Sequence, residues 1–579
     1  MTSKLFFYSL LFFQLSSCSS QKPYEEELPM HTEEQKAATT GDAQALFLLN
    51  TGKIKEAIDC LEEAKQQNPY LYHSGTLQRV GLALLQNGVE SHDTQDALLA
   101  LYGIGLSGNE EALSFAQATI RSKEPEIQLT AVQLLANYNT DEAHILLEEG
   151  LKSDYLLIRL EAAHALATKK LPSAYPQLEA LFSKIDPEFQ SFFPQLFAID
   201  GSPRSIQMLR KLLHHSSTDV RLETIYAITL FNYEELIDQV QLQIQDSSPA
   251  IQEAVIAAVG TLGKHPDKQK FIEMLQTRHE LQGLAAAYIL VKLGDETGKE
   301  FILKEASKNN LFAISLLGEI SPPSQLLIQK IENDNLQVHV NATIALLEQK
   351  EPQAVIGLPT LFIQSHNDLA FARVYSPGRS LQHCKVVPSA MQNLKNSPFL
   401  FEVSLRLREE LLVQSMELPE ENFLEIANLL FQYQQHDLIP VLVRLLENLR
   451  SEKAVDLLKE QSKRLGSPFI RAYCDLALFR LGESEEYFTR VLEWVKQYES
   501  HSLIERRPLL PWSMRGDNAK AKKSYSITLE EKSRLLVESY EALATSHRKE
   551  AITALLNAIK NGNPHNRYLL AGLLIRAAT

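Results

Sequence analysis

Glycine is scarce in this chain, 23 residues in 579, while leucine, alanine, glutamate, glutamine and lysine recur throughout; that is the vocabulary of helices. Basic residues are outnumbered, 57 Lys and Arg against 72 Asp and Glu, for a net charge of -15 and a pI near 5.6. So acidic a chain repels phosphate backbones, which argues against nucleic acid as a partner. Beyond residue 20 no run of eighteen apolar residues occurs, so no second candidate membrane span exists. HExxH, CxxC, GxSxG and a phosphate-binding glycine loop are all missing, which leaves no catalytic or cofactor motif to build on. With 45% hydrophobic and 22% charged residues, the chain buries a substantial core and is not globally disordered.

What is present begins at the N-terminus, MTSKLFFYSLLFFQLSSCSSQ. Lys4 supplies a positive flank, and Leu5 to Phe13 form an apolar stretch too short to span a bilayer, the build of an export signal. Leu15-Ser16-Ser17-Cys18 follows: one apolar residue, two small ones, then cysteine. This resembles the lipobox of bacterial lipoproteins, and the resemblance implies acylation of Cys18 with cleavage just before it. Ser19 stands where an aspartate would retain such a lipoprotein at the inner membrane, so the expected address is the outer membrane, facing the periplasm or the cell exterior. Two or more acyl chains anchor stably where one does not. The competing readings are an apolar helix with an incidental cysteine, a signal cut elsewhere, and hence a soluble adaptor with no anchor. Residues 18–41 are polar and acidic, and form a tether. The other cysteines, Cys60, Cys384 and Cys474, are odd in number and make no complete disulfide framework. Cys60 and Cys474 fall on apolar helix faces; Cys384 beside His383 is expected in an exposed loop.

Downstream, a unit of 31 residues recurs. Apolar anchors stand at Ile127, Ile158, Phe189, Val220 and Ile251, each preceded by a polar or proline-containing turn and followed by Gln128, Arg159, Gln190, Arg221 and Gln252. Eight positions after each anchor come Leu135, Leu166, Phe197, Ile228 and Val259, which completes one helix face. A second amphipathic stretch precedes every anchor, so the unit is helix, turn, helix. The pattern continues with slippage to about residue 350 and returns in GSPFIRAYCDLALFRLGES and GNPHNRYLLAGLL. It resembles the HEAT repeat in its short, phycobilisome-lyase-like variety. Such units stack, because one helix pair cannot bury its own apolar face.

The expected fold is all-α: an α-α superhelix, a HEAT/ARM-like solenoid, capped by a helical hairpin. Gly52, Ala57, Ala64 and Pro69 give that hairpin the spacing of a tetratricopeptide repeat. The division is a signal peptide at 1–17, the tether at 18–41, the tetratricopeptide-like cap at 42–104 and a HEAT-like array at 105–350. An irregular linker at 351–394, marked by Pro359, Pro377 and Pro388, leads to C-terminal repeats at 395–579. Within the latter, 502–528 is a basic loop with six Lys and Arg against two acids.

Two enzyme classes share this architecture. Deoxyhypusine hydroxylases, which the repeats resemble, bind two irons through several His-Glu dipeptides; this chain has one, His279-Glu280, and a di-iron centre needs more converging ligands. Bilin lyases act inside cells, against the export signal. Neither a metal nor another cofactor is expected, and the chain is not expected to be an enzyme. The remaining reading is a scaffold for protein partners, joined to a membrane through its N-terminal lipid. Arg506, Arg507, Trp512 and Arg515 are the candidate partner contacts, since Arg and Trp dominate binding hot spots. A merely solvated basic insertion, or a contact with anionic lipid, is the alternative for that loop.

Overall fold

The computed structural model describes residues 43–67, 74–263, 267–276, 279–320, 325–363, 398–464, 466–504 and 529–579. Among these every regular element is helical, and none of the helices is long and apolar enough to cross a membrane. The chain folds into two compact units. Of the described residues, one gathers those up to 177 with 485–504 and 529–579; the other holds those from 178 to 484.

The first unit is discontinuous in sequence. We label its main helices α1 (43–50), α2 (Ile54–Gln67), α3 (Ser74–Val89), α4 (Thr94–Ser107), α5 (Pro125–Leu135), α6 (Asp141–Gly150), α7 (Leu156–Thr168), α8 (Glu485–Gln497), α9 (Leu529–Thr545), α10 (Lys549–Asn561) and α11 (Asn566–Ala578). The α1–α2 hairpin turns at Gly52, whose φ of 76° suits a residue without a side chain. Ala57 is fully buried beside it, and Pro69 lies outside the described residues.

The last helix, α11, packs on α3 and α4, so the C-terminal helices share a core with the N-terminal ones. Missing side chains permit the crossing. A Cβ on Gly572 would overlap the backbone of Gly103, and one on Gly103 would overlap the Tyr568 carbonyl. Gly81 likewise faces Ile575 and the Ala571 carbonyl. Polar contacts bracket this seam: Lys560 pairs with Asp59 and Glu62 of α2, and Asn566 accepts from the Leu503 amide at 2.9 Å.

In the second unit the repeats stack in order. The helices Thr218–Leu230, Pro249–Leu262, Glu280–Lys292, Leu311–Leu317 and Leu336–Glu348 pack each on the next. Their buried side chains point to several sides at once, as helices covered on more than one face require. Ile256, Phe271, Ala285, Ile289 and Leu290 form one such core cluster.

The 31-residue reading meets the structure closely at four anchors: Ile127, Ile158, Val220 and Ile251 are buried, as are Leu135, Leu166, Phe197 and Ile228, while Val259 is half-buried. Phe189 is a correction. It sits half-buried in a 3-10 turn, Pro187–Phe192, and Phe193 takes the fully buried place at the start of the helix Phe193–Asp200. Pro194 explains the break, because its ring has no N–H to continue the preceding turn. The proline-based linker also starts late: Ala354–Ile363 is helical, with Pro359 inside it at the cost of one backbone hydrogen bond. Residues 364–397 lie outside the described part.

Candidate functional site

The Arg and Gln residues that follow the anchors are structural brackets. Arg159 donates to the Ser153 carbonyl at 2.6 Å, and Gln252 donates to that of Asp246 at 2.8 Å, each reaching six residues back to close the turn before its helix. Others reach into the next repeat. Gln128 accepts from the Ser153 hydroxyl at 2.7 Å, and Gln282 donates to the Gln252 side chain at 2.7 Å. Arg221 does both: it donates to the His215 carbonyl at 2.8 Å and pairs with Asp246 at 2.8 Å, with only 15% and 9% of the two side chains exposed. Charged hydrogen bonds of this kind contribute about 1.5–3 kcal/mol each. Arg221→Ala is therefore expected to destabilise the second unit by about 2–3 kcal/mol. Hydrogen exchange across 215–262 checks this, with an unchanged protection pattern counting against the bracket.

His279 and Glu280 stand exposed at the start of the helix Glu280–Lys292, where Glu280 accepts from Asn310. They converge with no third ligand-type residue among the described residues. Cys474 is fully buried and burial pushes its thiol up; the half-buried Cys60 is pushed up by burial and by Glu63. Raised thiols of this sort are poor nucleophiles. Cys18, Cys384, Arg506, Arg507, Trp512 and Arg515 lie outside the described residues.

Three ligand-type side chains do converge in the first unit: Asp93, Asp96 and His565 have donor atoms within 4.8 Å of one another. Their hydrogen bonds describe a staple. Asp93 caps α4 by accepting from the Gln95 amide at 2.7 Å. Asp96 accepts from the Ser91 hydroxyl at 3.1 Å and from His565 Nδ1 at 2.7 Å. The cluster sits where α4 and α11 both begin, and helix N-termini favour anions over cations. Sequence reading had no signal for it, because His565 and Asp96 are 469 positions apart.

A second feature runs across α4, α5 and α7. At 31-residue spacing these helices place Leu98, Leu129 and Leu160 in one row and Tyr102, Gln133 and His164 in another, one helical turn further on. All six are half-buried. Glu161 adjoins both rows and accepts from Gln133 at 3.3 Å, while the Tyr102 hydroxyl hydrogen-bonds Thr130. Burial raises the Glu161 carboxyl, an effect that Gln133 partly offsets, and burial lowers the His164 imidazole. Tyr102 is raised by burial and further by Glu126. These are partly desolvated polar groups beside partly exposed leucines, on the helix face that meets solvent.

The family model for HEAT repeats matches residues 82–167 and 206–292. These are HEAT repeats. The match takes in α4, α5 and α7 in the first unit and the first three stacked helices of the second, and starts within the stretch assigned above to the cap. No curated protein matches the sequence. Among solved structures, the chain is similar to an engineered protein at 14% identity and TM-score 0.24, over 70% of this chain and 99% of that one. It is similar to yeast importin-beta, Kap95p, at 12% identity and TM-score 0.24, over 92% and 72%. A homology model of the full-length AP-3 complex matches at 10% identity and TM-score 0.29, over 93% and 94%.

Proposed function

We propose that this HEAT-repeat protein is an interaction scaffold of the bacterial envelope, held by lipid at Cys18 and sorted to the outer membrane. Its repeats are of the short, phycobilisome-lyase-like variety, and the α1–α2 hairpin is a tetratricopeptide-like cap. The observation that supports scaffolding is where the recurrent polar residues go. Those beside the anchors hold one repeat to the next, as Arg221 does with Asp246 and Gln252 with Gln282, instead of converging on a reacting centre. What remains for recognition is the solvent-facing side of a long stack of helix pairs, a surface whose area grows with repeat number. The function so assigned is binding proteins, not catalysis. The basic loop with Arg506, Arg507, Trp512 and Arg515 is a second contact in this reading.

Labelling with radioactive palmitate in a lipoprotein-competent bacterium tests the anchor. The wild-type protein takes up label and sediments with membranes, and Cys18→Ser loses both properties; an unlabelled wild type overturns the anchor. Cross-linking in those cells, read by mass spectrometry, tests scaffolding. Discrete protein partners are expected, with fewer when 505–528 is deleted, and recovery of none overturns the reading.

A further inference from the structure

The leucine row and the polar row on α4, α5 and α7 repeat from helix to helix, so whatever binds there meets the same chemistry at regular steps. Packed helices lie about 8–10 Å apart. An extended chain in the polyproline II conformation has three residues per turn and rises about 3.1 Å per residue, so it returns the same side every 9 Å or so. A β-strand alternates sides every second residue, about 7 Å, and falls out of step with the helices. The face therefore fits a polyproline II segment crossing the helices, with one apolar side chain for each of Leu98, Leu129 and Leu160.

Charge selects the segment further. Glu161 and Glu126 are carboxylates beside the rows; Glu161 is half-buried, and its hydrogen-bond donor is the neutral Gln133 amide. Burial and the Gln133 amide act on Glu161, and among the described residues no cation pairs with it. A carboxylate partly stripped of water is stabilised by an arriving lysine or arginine more than an exposed one is, because the local dielectric is lower. An incoming acidic group would meet repulsion in the same place.

We infer that the α4–α5–α7 face docks an extended, polyproline II-type segment of a partner protein, apolar at every third residue and carrying a Lys or Arg that pairs with Glu161. The inference rests on the scaffold reading and adds the class of partner. The apolar side chains supply contact area along the leucine row, and the cation fixes register against Glu161. Gln133 acts as a positioning residue that holds the Glu161 carboxylate toward the rows.

The test uses the full chain in detergent and fluorescein-labelled synthetic peptides, read by fluorescence anisotropy. The first peptide has four Leu-Pro-Pro triplets, with arginine in place of the proline after the third leucine. The second carries glutamate at that position, and the third has leucine at every second residue. The arginine peptide is expected to bind at least tenfold tighter than either of the others. Glu161→Gln weakens it at least tenfold with an unchanged circular dichroism spectrum, whereas Glu142→Gln on the exposed side of α6 leaves it unchanged. Equal binding by the three peptides, no effect of Glu161→Gln, or no binding of the arginine peptide overturns the inference. The cross-linking of the preceding section separates the two readings. Partners captured equally by wild type and Glu161→Gln sink this face and leave scaffolding standing, whereas no captured partner sinks scaffolding itself.

Discussion

Gly572→Val is expected to destabilise the first unit by at least about 3 kcal/mol, at or above the upper end of ordinary overpacking. Overpacking usually costs less because a neighbouring side chain turns away, but here the neighbour is the backbone of Gly103, which has no rotamer to change. Either α11 lifts off α4 or the helices bend, and both open the contact through which the C-terminal helices close the core. Gly572→Ala is the milder version at about 2 kcal/mol, since the methyl group still overlaps while alanine recovers up to about 1 kcal/mol of helix propensity. Gly52→Ala is the control: nothing lies within 4 Å of its Cβ position, so its cost is the left-handed backbone alone, about 1–2 kcal/mol. Trp494 on α8 lies in the first unit, and the chain has two tryptophans, so a Trp512→Phe background makes Trp494 fluorescence a reporter of that unit. Urea midpoints for Gly572→Val and Gly52→Ala that fall together would remove the crossing as the cause.

The second large effect belongs to Arg408. Its side chain is 4% exposed, pairs with Asp437, donates to the Phe362 carbonyl, and reaches Gln435 at 3.1 Å. Removing the buried guanidinium leaves the Phe362 carbonyl without its donor and Asp437, itself 25% exposed, without its cation, and Arg408→Ala is expected to cost about 3 kcal/mol. Lysine restores little, because one ammonium cannot span three acceptors in different directions. Substituting both members, Arg408→Met with Asp437→Leu, is expected to regain only part of the loss, because the Phe362 carbonyl still lacks its donor. Hydrogen exchange over 405–414 and 435–446 reads this locally; a loss under about 1 kcal/mol for Arg408→Ala would show that the cluster does not hold these helices together.

Much of this architecture was legible because a period is a property of the chain. Ile127, Ile158, Val220 and Ile251 stand out through spacing alone, and burial follows from the helix geometry that spacing implies. The same register carries most ends of the repeats: Lys170, Gly201, Asn232 and Gly294 take positive φ where a helix stops, while Gly263 in the same series does not. Phe189 escaped because periodicity cannot see a proline five residues later restarting the helix. The helix at 354–363 escaped because Pro359 reads as a breaker although tertiary packing tolerates it: a Cβ on neighbouring Gly357 would run into Thr343. Of the candidate site, the residue types beside the anchors were visible and their task was not, since Arg221 is a bracket only once Asp246 is seen opposite. Nothing local to Gly103 or Gly572 announces that the two touch.

That contact carries a consequence for how the protein is made. The partners His565 and Asp96 are separated by 469 residues, and at roughly 5–20 residues per second the ribosome needs about 20 to 95 seconds to supply the second. Throughout that interval the glycine-lined side of α3 and α4 has no cover, so the N-terminal helices emerge first and finish folding last. A nascent chain in that state suits a chaperone that keeps it open. A product cut short before α11 would expose the same surface permanently, giving proteases a ready means of telling an unfinished copy from a complete one.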